Sequence, residues 1–144
     1  SAVTVIIPPV SIEARQLQRA ARIAFNSGVA VARAGQSLRE VGHAVESAAK
    51  REGAVVVREL TGHGIGRRIH EPPSVPNWGD PDARTILTEG MVIALEPMLT
   101  SVPVRVVEEA DGWTLRTHNR VLAVHHEHTI VIRRGAPLVL TAAA

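Results

Sequence analysis

The 144 residues contain no cysteine and no tyrosine, one phenylalanine, and one lysine, Lys50. Without cysteine there is no disulfide framework and no thiolate metal site, so any bound metal must be held by histidine and carboxylate. Few aromatics means few platforms on which bases could stack. The near-absence of lysine explains a mismatch between a pI of about 10.3 and a net charge of only +2: the other side-chain cations are arginines, which stay protonated across the accessible range. Arg67-Arg68 and Arg133-Arg134 lie apart with no interleaved aromatics, and they read as solvated surface rather than a nucleic-acid interface. No apolar run approaches the ~20 residues a membrane helix needs, and no charged-then-apolar signal segment opens the chain. No nucleic-acid or membrane partner is expected, and a cytoplasmic setting is the default.

What is present is enough apolar residue for one core, at 45% of the chain. Residues 1–144 read as a single domain. Val3–Ile7 is a β-branched run closed by Pro8-Pro9, a strand ended by a turn. Ser11 is placed to cap a helix carrying Leu17, Ala20, Ala21, Ala24 and Gly28 on one face. Ser37-Leu38-Arg39-Glu40 is a capping box, followed by Leu38, Val41, Val45, Ala48 and Ala49 at helical spacing up to Gly53. Strands are expected at Val55–Val57, Val92–Leu95, Val104–Val107, Trp113–Arg116 and Glu127–Ile132, with Glu71–Asp82 as a long Pro- and Gly-rich loop. Ala142–Ala144 reads as a frayed tail. The order predicts an α+β fold, two helices backing a curved, mostly antiparallel sheet.

Four segments carry polar groups of chemical interest. Thr61–Gly66 surrounds His63 with three glycines, which let backbone approach a ligand closely. His70-Glu71-Pro72-Pro73 follows, then Glu96 in Ala94-Leu95-Glu96-Pro97-Met98, then Glu127 in His126-Glu127-His128-Thr129. Taken singly, His63 reads as a structural turn histidine and Glu71 as a solvated edge charge. Glu96 is different, because a carboxylate beside a buried strand must be paired or bound to metal. One imidazole and two carboxylates suit Mn, Fe, Co or Zn with positions left open for water. His125, His126 and His128 flank Glu127, but adjacent strand residues face opposite ways. Alternation turns Glu127 inward and leaves at least some of these histidines as supporting or packing groups.

Gly62-His63-Gly64-Ile65-Gly66-Arg67, His70-Glu71-Pro72, Gly90-Met91-Val92, Glu96-Pro97-Met98, Asp111-Gly112-Trp113-Thr114 and Glu127-His128-Thr129 occur in this order. In order and spacing, this set resembles the type I methionine aminopeptidases, from about Val3 to Thr141. Related proline-specific peptidases share the first two elements, whereas Glu-Pro-Met and the Trp-Thr segment are similar to the methionine branch. The resemblance implies half of the pita-bread fold, with His63 and Glu96 as terminal metal ligands and Glu127 as a carboxylate bridging two ions. It implies that His70 contacts substrate and steadies the tetrahedral intermediate, that Glu96 shuttles a proton, and that Trp113 and Ile69 line the methionine pocket. Ile69 replaces an aromatic residue common in the family.

In the family two further aspartates, on strands of the first half, complete the metal pair. Asp80, Asp82 and Asp111 fall in loops and match neither of them. The resemblance therefore implies a C-terminal half that removes N-terminal methionine from nascent proteins or peptides only within a complete two-half site. Its partner would be the complementary N-terminal half or a second copy, docked on an exposed apolar surface. Alone, the chain is expected to be inactive and to hold at most one divalent ion, against two in the complete site. The alternatives are a catalytically dead pita-bread module that binds peptides or proteins, and a mononuclear metal hydrolase.

Overall fold

The computed structural model describes residues 1–142; the part of the expected frayed tail at Ala143 and Ala144 lies outside the described residues. The elements run β1 (Ala2–Val3), α1 (Ile12–Val31), α2 (Leu38–Arg51), β2 (Val55–Val56), β3 (Gly62–Gly64), β4 (Glu71–Val75), β5 (Val92–Leu95), β6 (Met98–Thr100), β7 (Val106–Glu108), β8 (Leu115–Thr117), β9 (Ala123–Val131) and β10 (Leu138–Val139).

Both helices start where their caps predict. The Ala14 N–H donates to the Ser11 side chain at the start of α1. At α2 the box is reciprocal: the Glu40 N–H donates to Ser37 Oγ while the Ser37 N–H donates to the Glu40 carboxylate. That backbone donation, reinforced by the Ser37 hydroxyl, holds the Glu40 carboxyl below its usual range. The expected apolar stripes are buried, with Phe25 joining that of α1 and Gly42 that of α2.

The main sheet has eight strands, and along its backbone the order is β2-β6-β9-β5-β3-β4 with every pairing antiparallel. β9 is its spine. One edge of β9 pairs with β6 and then β5, and β1 and β10 also pair with it. Strand alternation then divides the residues. Ile93, Leu95, Leu99, Val124 and Ile130 are buried with Leu17, Ala21, Val41 and Val45 of the helices in one apolar cluster, each large side chain contributing ~1.5–3 kcal/mol of burial. The other face of β9 and β5 is free of helices and carries the polar groups.

Several boundaries differ from expectation. Val3–Ile7 is strand only at Ala2–Val3, which pair with Glu127 and His126; Val3, Val5 and Ile7 are all exposed, so the apolar alternation there has no core to bury. The final long strand begins at Ala123 rather than Glu127, its start disguised by consecutive histidines. Glu71–Asp82 opens with β4 instead of being loop throughout. β4 ends the sheet order, where Pro72 and Pro73 can sit without breaking an inner ladder. The expected strands at Val104–Val107 and Trp113–Arg116 shift to β7 and β8, which pair only with each other. Among the described residues, no helix is long and apolar enough to cross a membrane.

Candidate metal centre

Leu95 stands opposite His128, and Met98 opposite His125. The register is therefore unbroken across Glu96-Pro97, and β5 and β6 are one strand interrupted at a proline with no N–H to give. The ladder continues on the other side, where the His126 N–H donates to the Pro97 carbonyl at 3.2 Å. This register puts Glu96 level with Glu127 on the helix-free face. Glu96 is largely buried, its backbone carbonyl held by Asn77 Nδ2 at 3.2 Å.

His63 reaches the same face because it pairs with Ala94 on β5. Glycine is required on either side. A Cβ at Gly62 would lie 2.3 Å from the Ala94 carbonyl oxygen, and one at Gly64 would lie 2.3 Å from that of Pro72. The His63 ring has a defined tautomer. Nδ1 lies 2.9 Å from the Gly64 carbonyl, an acceptor only, so Nδ1 carries the proton and donates it. Nε2 is left facing Glu96 Oε1 at 3.5 Å. His70 packs beside it, with ring centroids 4.2 Å apart, and is exposed.

The histidines around Glu127 divide as alternation requires. His126 and His128 turn to the helix side, with ring centroids 5.0 and 5.2 Å from that of Phe25. Burial there, followed by the neighbouring His128, His125 and Arg22, pushes the His126 pKa down. His125 faces the other way, placing Nε2 3.3 Å from Glu96 Oε2. Glu96, His125 and Glu127 each offer a ligand atom within 4.8 Å of the others. Sequence reasoning did not assign His125 a role. The usable signal was its spacing of two from Glu127, which puts both on one face once the strand is known to start before them. The Ser1 ammonium also lies 3.4 Å from Glu127 Oε1.

Trp113 is 87% exposed and borders an open hollow of about 570 Å³ that Leu60, Met98, Leu115 and His125 also line. His125, whose Nε2 faces Glu96, is the link between this hollow and the carboxylates, which do not themselves line it. Ile69 is 72% exposed and does not line this hollow. Glu71 is not a free edge charge. The Arg68 N–H donates to its Oε1 at 2.7 Å, so it braces the loop that carries Ile69 and His70.

Two carboxylates face each other here with imidazole nitrogens at 3.3 and 3.5 Å and no lysine or arginine partner for either among the described ion pairs. A lone-pair nitrogen that close to a carboxylate oxygen needs a proton or a cation between them. The donor set, nitrogen plus carboxylate oxygen, fits a borderline divalent ion.

A profile described as metallopeptidase family M24 matches residues 1–134. The chain belongs to that family. Its membership implies the use of divalent metal ions, which the Glu96, His125 and Glu127 group suits. The chain is 40% identical over 127 residues to methionine aminopeptidase 2 of Bacillus subtilis, covering 88% of this chain and 51% of that protein. It is 38% identical over 145 residues to the methionine aminopeptidase of Aquifex aeolicus, covering 98% and 55%. The chain thus spans about half the length of the curated relatives it matches. The crystal structure of a methionine aminopeptidase from Thermotoga maritima superposes with a TM-score of 0.92 at 34% identity, covering 98% of this chain and 57% of that one. The prolidase of Pyrococcus furiosus, at 23% identity and a TM-score of 0.75, shares the fold alone. This M24 chain is α+β with the pita-bread arrangement of its neighbours.

Proposed function

We propose that residues 1–144 form a single domain, the C-terminal half of a methionine aminopeptidase catalytic unit, and that it removes N-terminal methionine together with a complementary half. The observation that carries the proposal is the tautomer of His63: its Nδ1–H is committed to Gly64, and its free Nε2 is aimed at Glu96. Histidine ligands are fixed in this way, through the nitrogen that does not bind the metal.

In this reading His63, Glu96 and Glu127 are metal ligands, and the ion is one of Co, Mn, Fe or Zn. When bound, divalent ions supply Lewis acidity at the scissile carbonyl and make a nucleophilic water available near neutral pH. The protein groups do the rest. His70, exposed beside His63, donates a hydrogen bond to the carbonyl oxygen or scissile amide of the peptide. Glu96 accepts a proton from the attacking water and passes it to the leaving amine as the C–N bond breaks. The hollow beside Trp113 takes the unbranched methionine side chain, with Ile69 at the margin of the site. Identity to enzymes named methionine aminopeptidases across most of this chain supports that substrate.

The test is methionine release from a Met-Ala peptide with Mn or Co added. The chain alone should release little, because its ligand set holds at most one tight ion. Mixing with an aspartate-bearing first half should restore release, and His70→Ala in that mixture should lower kcat by about 10²-fold or more. No release from the assembled mixture would overturn the aminopeptidase reading in favour of a module that only binds peptides.

A further inference from the structure

We propose that His125 is itself a metal ligand, so that Glu96, His125 and Glu127 form a three-donor divalent-cation pocket within this chain that does not require His63. The inference rests on the reading of this face as a metal centre and extends it by a residue to which that reading gives no role.

Three observations carry it. First, His125 Nε2 is buried and makes no hydrogen bond, although Glu96 Oε2 is only 3.3 Å away. The distance suits an ion pair, but the orientation does not suit N–H donation. A buried ring nitrogen without a partner is costly, and a cation between it and the carboxylate removes that cost. Second, the two imidazoles address different oxygens of one carboxylate: His63 faces Oε1 and His125 faces Oε2. His125 and Glu127 each bring a ligand atom within 4.8 Å of the other and of a Glu96 oxygen, a grouping that does not include His63. Third, the backbone of His125 is clamped. Its N–H donates to Thr4 Oγ1 at 2.9 Å, and its carbonyl accepts from the Thr4 hydroxyl at 3.0 Å and the Thr4 N–H at 3.1 Å. Thr4 is thus a positioning residue. The fixed backbone leaves only the side-chain torsions of His125 to be ordered when the ion arrives.

The test uses the full chain, uniformly ¹⁵N-labelled, with Zn(II) alone as probe and long-range ¹H–¹⁵N correlation to follow each imidazole nitrogen. Comparison with His125→Gln and His63→Gln assigns the signals, and the exposed His43 serves as the internal control. The expected result is that the His125 Nε2 resonance loses its lone-pair position at one equivalent of Zn(II), that His43 does not move, and that His125→Gln weakens Zn(II) binding about 10- to 100-fold. That loss of affinity alone would also follow from an indirect role through Glu96, so the ring-nitrogen shift decides. A His125 signal that moves in His63→Gln as well establishes a pocket independent of His63. If His63 shifts and His125 does not, this inference is overturned and the proposed function stands. If neither shifts, both the inference and the metal-centre reading are overturned.

Discussion

Glu96 and Glu127 face one another across a single strand pair, brought level by a register that runs unbroken through Pro97. Two carboxylates this close repel, and either alone would be more comfortable without the other. The proposed account is that the ion they hold is what keeps them there. Changing Glu127 to Gln should therefore weaken Mn(II) or Zn(II) binding by 10-fold or more while leaving the metal-free melting temperature unchanged or slightly raised. Calorimetric titration and thermal melts measure the two halves of this statement. Unchanged affinity would remove Glu127 from the ligand set.

Gly62→Ala tests the close approach that delivers His63. The added Cβ meets backbone, the Ala94 carbonyl oxygen at 2.3 Å, so relief requires β3 to move away from β5. A destabilisation of about 1–3 kcal/mol is expected, together with a partial loss of metal affinity, because β3 carries His63 away while the Glu96, His125 and Glu127 group remains. Wild-type metal affinity in Gly62→Ala would show that the placement of His63 on β3 does not matter for binding.

Much of this fold is legible in the sequence where one physical signal decides. Ser37 and Glu40 announce α2, and the stripes from Leu17 to Gly28 and from Leu38 to Ala49 mark the buried faces of the helices. The signal fails where pairing partners decide. Pro72-Pro73 argues against a strand, yet β4 is one because it lies at the sheet edge. Short β3 and β6 have no periodicity long enough to read. Alternation around Glu127 separates His126 and His128 from it, but the approach of His125 to Glu96 depends on Glu96 lying opposite Glu127, a long-range register that no local pattern encodes.

Asn77 supports the centre from behind. It is fully buried, and its Nδ2 donates to the Glu96 carbonyl. Asn77→Ala should cost about 1–3 kcal/mol through the acceptor it leaves unsatisfied, measured as a lower denaturant midpoint with an unchanged m-value. Metal affinity should fall with it. A variant as stable as the original would mean that the Glu96 carbonyl finds another donor.

The turn that carries Trp113 has its own acid limit. Donation from the Thr114 hydroxyl, then from the Thr114 and Trp113 N–H groups, lowers the Asp111 pKa from 3.8 to about 2. Because the folded value lies below the unfolded one, this support is complete above about 3.8 and is lost as pH falls through about 2. The amide shifts of Trp113 and Thr114 should titrate with a midpoint near the lower value. A midpoint near 3.8 would show that the carboxylate does not hold the turn.

The most direct measurement is anomalous difference density from crystals of this chain soaked in Mn(II), with data collected near the manganese edge. The account predicts a peak between the carboxylates of Glu96 and Glu127, within coordinating distance of an imidazole nitrogen of His63 or His125. Soaked crystals with no anomalous peak between the two carboxylates would contradict it.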